Sequence, residues 1–285
     1  MKKLLATLVV LLSAIFLAAC GGTSDENSAN ENTNESTEDV EIKVGASSTP
    51  HAEILQEAQP LLEEEGITLK IEEYQDYILP NDDLESGALD ANYFQHIPYL
   101  EQTIADTGYE LDYIAGIHIE PMGVYSKNIK SIDDIPDGAE VIISRSISDH
   151  GRILALFEAQ GLITLDENVK KAEATVDDIV DNPHNLTFSP DVDPAMLPEM
   201  YETEEDKLVA INTNYAIEAG LSPLEDSLFI EDENSPYVNV VAVRAEDKDN
   251  EAINKLVDVL QSEEIQNFIL EKYNGQVIPV GQNSK

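Results

Sequence analysis

The chain has 285 residues, with 57 acidic side chains against 16 basic ones and a formal net charge of -41. Nucleic acid is excluded as a natural partner, because phosphate contacts need a basic surface, and electrostatic adhesion to anionic lipid is opposed for the same reason. A charge this large repels itself unless salt screens it, over about 3 Å at 1 M; a saline habitat is therefore expected, with stability rising as NaCl is added.

In chain order, Lys2 and Lys3 precede an apolar run from Leu4 to Ala19, interrupted only by Thr7 and Ser13. A basic start, a short apolar segment and small residues at its end predict a secretory signal over residues 1–19. The run is too short for a comfortable membrane span. Cys20 is the sole cysteine, so no intramolecular disulfide can form. The stretch Leu17-Ala18-Ala19-Cys20 resembles a bacterial lipobox, whose cysteine is acylated; an ordinary signal peptide with a stray cysteine is the plainer alternative. Acylation would fix the protein to the cell membrane, on its extracytoplasmic face, with no spanning helix. Residues 20–40 are rich in Ser, Asn, Thr, Glu and Asp, lack apolar periodicity and read as a disordered acidic tether.

The body alternates strand-like and helix-like patterns. Strands are predicted at Glu41–Ser47, Thr68–Tyr74, Leu89–Phe94, Glu110–Ile119, Gly123–Ser126, Val141–Ser144, Leu186–Phe188, Leu208–Ile211, Val238–Arg244 and Gln276–Val280. Helices are predicted at His51–Glu65, Asp82–Ser86, Pro98–Thr107, Asp149–Gln160, from near Tyr215 to Gly220, Asn250–Gln261 and Glu263–Tyr273. Such alternation predicts an α/β protein with mostly parallel sheets, and the length favours two sheets over one. In open α/β sheets ligands gather at the carboxyl ends of strands.

Three stretches carry candidate chemistry there. In DANYFQHIPYL, Phe94, His96 and Tyr99 cluster where a strand end meets a helix start; a pocket wall and a piece of core both fit. In SISDHGRILALF, Ser148 or Asp149 can cap the helix, which puts Arg152 in its first turn. A cation there opposes the macrodipole, yet a guanidinium beside free N–H groups binds a carboxylate well. Pairing with one of the chain's own acids is the alternative. In AINTNYAIEAG and SPYVNVVAV, Asn212 ends one strand and Asn239 lies inside another. A buried amide needs partners, though turn chemistry also accounts for Asn212 and Asn214. Together the three describe a receptor for a small zwitterion, with aromatic walls that suit a thioether.

The body, from Glu41 to Val280, resembles the NLPA family of bacterial methionine-binding lipoproteins, the substrate-binding components of ABC importers. The stretches that carry the likeness are TPHAEIL, DYILPND, LDANYFQHIPYL, HIEPMGVYSK, GRILALFEAQGLI, DIVDNPHNL, INTNYAIEAGL and SPYVNVV. The resemblance implies a two-lobed type II periplasmic-binding-protein fold with the ligand cleft between lobes, lobe 1 spanning 41–122 plus 240–285 and lobe 2 spanning 123–239. It implies that the ligand, methionine or a related amino acid, closes the lobes, and that the closed form docks on a permease served by an ATPase. By matching position it makes Tyr77, Phe94, His96, Tyr99, Arg152, Asn212 and Asn239 the ligand-binding set; Tyr77 enters through the resemblance alone. One region departs. Where the family usually has Pro-Asn-Asp-Pro, this chain has Ser144-Arg145-Ser146-Ile147, and Asp149 stands where the family often has Asn. That leaves L-methionine, D-methionine, a methionine-containing dipeptide and other small amino acids open.

The contrasting expectation is an exported metal-binding protein or metal-dependent hydrolase. Five histidines (His51, His96, His118, His150 and His184) accompany many carboxylates. No H-E-x-x-H, cysteine-based zinc spacing or Gly-x-Ser-x-Gly elbow occurs, and His118 with Glu120 supplies only a pair. A binding protein without cofactor, metal or catalytic residues is expected.

Overall fold

The computed structural model describes residues 40–232 and 235–281, all within one compact unit. The expected signal, Cys20 and nearly all of the tether lie outside them. Among the described residues no helix is long and apolar enough to cross a membrane.

Two mixed sheets form the body. The first has six strands in the order β13-β4-β12-β3-β1-β2. These are β1 (Val40–Ser47), β2 (Ile67–Tyr74), β3 (Ala91–His96), β4 (Leu111–Ile119), β12 (Val238–Arg244) and β13 (Ile278–Pro279). The second has five, in the order β11-β5-β10-β6-β9: β5 (Gly123–Tyr125), β6 (Glu140–Ser144), β9 (Thr187–Val192), β10 (Leu208–Ile211) and β11 (Phe229–Ile230). A small antiparallel pair, β7 (Thr164–Leu165) with β8 (Ile179–Asp181), lies apart.

The expectation of mostly parallel sheets is corrected. β1 runs parallel to β2 and β3, and β6 to β9 and β10. However, β12 is antiparallel to both β3 and β4, and β5 is antiparallel to both β10 and β11. The cause is connectivity: the chain enters the second sheet after β4 and returns to the first only at β12, reversing direction each time.

Each sheet is buried on both faces. In β12, Val241 and Val243 join the core beneath α1 (Glu53–Glu64), α7 (Glu251–Leu260) and α8 (Glu263–Tyr273). Val240 and Ala242 face the smaller core under α2 (Leu79–Glu85) and α3 (Ile97–Thr107). In β10, Leu208 and Ala210 pack with α4 (Ile147–Ala159), whereas Val209 and Ile211 pack with α5 (Leu197–Thr203) and α6 (Thr213–Glu218). Strands sandwiched between helix layers read as apolar runs, as here.

The result is the two-lobed α/β fold, its lobes joined by two crossings: Glu120-Pro121-Met122 on the way out, and the segment after Ile230 on the way back. Gly151 in α4 packs this fold tightly. A Cβ there would stand 2.4 Å from the Lys171 carbonyl oxygen and 2.5 Å from the Ala172 backbone, where neither can yield.

Candidate functional site

The carboxyl ends of β3, β6 and β10 point at the crossings. Phe94, Gln95, His96, Tyr99 and Asn239 come from the first sheet and its helices, and Tyr77 from the connection between β2 and α2. Glu120 comes from the first crossing. Asp149, Arg152, Asn212, Thr213 and Asn214 come from the second sheet. All twelve line one cleft of about 390 Å³, its mouth included. All seven expected ligand residues are therefore brought together. The stretch from Asp90 to Leu100 is core and pocket wall at once: every residue of β3 is buried, while Phe94 and His96 also line the cleft.

Tyr77, Phe94 and Tyr99 form an aromatic triangle, with ring centroids 6.0, 5.9 and 6.1 Å apart. The Tyr99 hydroxyl donates to the Tyr77 carbonyl at 2.8 Å, and the Tyr77 hydroxyl to Asn214 Oδ1 at 2.6 Å. Burial pushes the Tyr77 hydroxyl well above its ordinary value, so it stays a neutral donor. The walls are thus apolar rings locked by their own polar ends.

His96 caps α3. Its Nδ1 accepts from the Tyr99 N–H at 3.1 Å, so Nε2 carries the proton and donates to Asp149 Oδ1 at 3.2 Å. The Asn212 amide nitrogen donates to Asp149 Oδ2 at 3.2 Å, and Arg152 Nη1 lies 3.6 Å from Oδ1. Burial alone would raise the Asp149 carboxyl; the hydrogen bond and attraction of His96, with Arg152 and Asn212, outweigh it and hold the group below the usual carboxylate range.

Arg152 is more engaged than expected. Its Nη2 pairs with Glu231 on the second crossing and donates to the Glu120 carbonyl at 3.1 Å. The guanidinium also stacks on Tyr237 at 4.3 Å. The position in the helix is corrected too. α4 begins at Ile147 after an N-cap at Ser146, so Arg152 sits in the second turn and the macrodipole argument does not apply. The start moves upstream because Ser146 and Ser148 bond each other at 3.0 Å and His150 bonds the Ser144 carbonyl at 2.8 Å, which winds the chain early.

Asn239 lies between His96 and His118 in the sheet register, and its Oδ1 accepts from His51 Nε2 at 3.1 Å. Behind it sits a buried group of His51, His118 and Glu120, whose ligand-type atoms all lie within 4.8 Å of one another. The sequence offered only the pair; the fold adds His51. These atoms bond one another: His118 Nε2 meets Glu120 Oε1 at 2.8 Å, His51 Nε2 meets it at 3.1 Å, and Tyr93 donates to His118 Nδ1. Burial lowers His51 to about 4 and His118 to about 3, so both are neutral at pH 7. The same burial raises Glu120, against the pull of His51 and Arg152.

Sequence reasoning missed Gln95, Glu120, Thr213 and Asn214 as cleft residues, and gave Asp149 only as an extra acid near the cleft. Asp149 had a signal, since it breaks the family pattern; Asn214 resembled turn chemistry. Three buried polar atoms of cleft residues lack a protein partner: Asn212 Oδ1, Asn214 Nδ2 and Arg152 Nε. Left so they would be costly, and their chemistry, one acceptor and two donors, is that of a small polar ligand.

A cleft between two lobes, walled by rings at one end and by amides and an arginine at the other, has the lining of a small-molecule site. The family model described as NlpA lipoprotein matches residues 42–281, and the chain belongs to that family. The methionine-binding lipoprotein MetQ of Bacillus subtilis (strain 168) is 44% identical over 284 residues, covering 99% of this chain and 100% of the relative. The D-methionine-binding lipoprotein MetQ of Salmonella typhi is 35% identical over 277 residues, covering 97% of each. The structure of a nutrient binding protein from Burkholderia cenocepacia bound to methionine matches with a TM-score of 0.79 at 40% identity, covering 84% of this chain and 99% of that one.

Proposed function

We propose that this protein is an extracytoplasmic, lipid-anchored receptor that binds methionine, or an amino acid close to it, and delivers it to an ABC importer. The relatives' names and the methionine-bound neighbour support the ligand class; nothing among the relatives supports the metal-dependent alternative. The carrying observation is the shared cleft. The aromatic triangle of lobe 1 faces Arg152, Asn212 and Asn214 of lobe 2, which matches a thioether tail and a zwitterionic head. Tyr77, Phe94, His96, Tyr99, Arg152, Asn212 and Asn239 are the contacts, with Cys20 the acylated anchor. Lobe 1 comprises 41–122 plus 240–285 and lobe 2 123–239, except that Val238 and Asn239, as part of β12, go with lobe 1.

Titration calorimetry of the purified full chain with L-methionine and D-methionine tests the reading. Saturable one-to-one binding of at least one is expected. Heats indistinguishable from dilution for both, with the protein folded, would overturn it. Cys20→Ser is expected to move the protein from the membrane fraction to the soluble one.

A further inference from the structure

The twelve cleft residues include two carboxylates: Glu120, which is bonded to His51 and His118, and Asp149, which no expected role explains. Asp149 is 1% exposed, lines the cleft and already receives hydrogen bonds from His96 and Asn212. A buried ionised acid is costly unless cations balance it, and the balance here is short. The single guanidinium of Arg152 is shared between Asp149 and Glu231. His96 donates a hydrogen bond to Asp149 through Nε2 while its Nδ1 accepts from the Tyr99 N–H, and His51 and His118 are held neutral by burial. One more cation would complete the group.

Beside Asp149 lies a buried acceptor in want of a donor. Asn212 turns its amide nitrogen to Asp149 Oδ2 at 3.2 Å, which leaves its Oδ1 without a protein partner although the residue is only 7% exposed. Because the two polar atoms of an amide share one carbon, Asn212 Oδ1 and Asp149 Oδ2 can be at most about 5.5 Å apart. Where the amide donates the hydrogen on its Oδ1 side, the two oxygens stand about 4 Å apart, and one nitrogen can sit within hydrogen-bond reach of both. The unpartnered donors, Arg152 Nε and Asn214 Nδ2, remain for an acid group.

We propose that Asp149 is the specificity-determining residue of the cleft: with Asn212 Oδ1 it takes the ligand's ammonium, and it restricts the ligand to molecules with a free, protonated α-amine. This deepens the methionine-receptor reading and rests on it. A hydroxyl in place of the amine adds no cation, and an N-acyl group adds none and is bulkier; both are refused. A neutral asparagine at 149 would accept a hydrogen bond from amine and hydroxyl alike, so the acid sharpens the choice between them.

The test compares L-methionine with its 2-hydroxy analogue, which keeps the thioether and the carboxylate, in the full-length protein and in Asp149→Asn. The unmodified protein is expected to prefer the amine by at least about 100-fold. Asp149→Asn is expected to narrow that preference at least about tenfold, mainly by weakening methionine. A preference below about tenfold in the unmodified protein would overturn the proposal, whether or not the variant folds. So would an unchanged ratio in the variant, or a parallel loss of both ligands in a variant with normal thermal unfolding, which would mean that Asp149 only positions Arg152 and His96. Failure of both ligands to bind the unmodified protein would instead remove the receptor reading itself, and this proposal with it.

Discussion

Two buried groups in this protein are built from the same side chains and are driven in opposite directions. Asp149 beside His96 is held below the usual carboxylate range, whereas Glu120 beside His51 and His118 is raised. Burial does not separate them, since Asp149 is 1% and Glu120 8% exposed. What differs is the contact set: the His96 hydrogen bond, with Arg152 and Asn212, outweighs burial at Asp149, whereas burial outweighs the pull of His51 and Arg152 at Glu120. Arg152 Nη1 lies 3.6 Å from the Asp149 carboxylate, but the guanidinium's bond to Glu120 goes to the backbone carbonyl. Glu120 meets two histidines that are themselves neutral, His51, which is bonded to Asn239, and His118, which is bonded to Tyr93. The first group therefore keeps a charge facing the cleft, ready for a ligand's opposite charge. The second is a polar knot behind the cleft, reaching it only through Glu120 at the lobe crossing. Residue type alone does not distinguish a binding site from a structural network; the hydrogen bonds and charges that surround each carboxylate do.

The sharpest way to break the contrast is Arg152→Ala. It leaves Glu231 and Asp149 buried without their cation, so a stability loss of about 3–5 kcal/mol is expected by denaturant unfolding, with ligand binding lost by calorimetry. Stability within about 0.5 kcal/mol of the parent would show that the pairing contributes nothing.

Acid distinguishes the two groups without mutation. The His51 imidazole is lowered from 6.5 to about 4 in the fold. The unfolded chain therefore takes up this proton first, and the stability His51 contributes is complete above about pH 6.5 and is lost as pH falls towards 4. His118, lowered to about 3, continues the loss over a longer range. Raised Glu120 acts in the opposite sense at the lower end, because the folded state takes up its proton earlier. Depressed Asp149 adds its loss only once the pH falls into the ordinary carboxylate range, where the unfolded chain takes up the proton first. Between pH 6.5 and 5 the polar knot is thus expected to lose stability as acid is added. His51→Gln should reduce the slope of stability against pH there by up to about 1.4 kcal/mol per unit. An unchanged slope would place the titration elsewhere.

A smaller effect is expected from Tyr93→Phe, which removes the donor to His118 Nδ1 and leaves that nitrogen buried and unpaired. About 1–3 kcal/mol should be lost, with ligand affinity unchanged because Tyr93 does not line the cleft. A selective loss of affinity would mean that the knot and the cleft are one unit.

Much of this was legible in the sequence where the determinant is local. The apolar runs Leu208–Ile211 and Val238–Arg244 and the helix Glu263–Tyr273 have the bounds that periodicity predicts. Gly108 ends α3 in the left-handed region, where glycine alone pays no steric penalty, at φ 76°. Strand direction was not legible, because pairing across the two crossings is a long-range property. The short helix Leu197–Thr203 was missed for lack of length to show a period. In the cleft, residue types with strong chemistry (Arg152, His96 and the aromatics) stood out. Glu120 and Asn214 did not, because a carboxylate in so acidic a chain and an asparagine after a strand carry little information until burial is known.

The most direct test of the central claim is a crystal structure of the full chain grown with L-methionine. The ligand is expected in the cleft, its thioether among Tyr77, Phe94 and Tyr99, its ammonium at Asp149 and Asn212, and its carboxylate towards Arg152 and Asn214. Methionine found instead in the groove behind α4, between Leu156 and Pro236, with the cleft holding only solvent, would contradict the account.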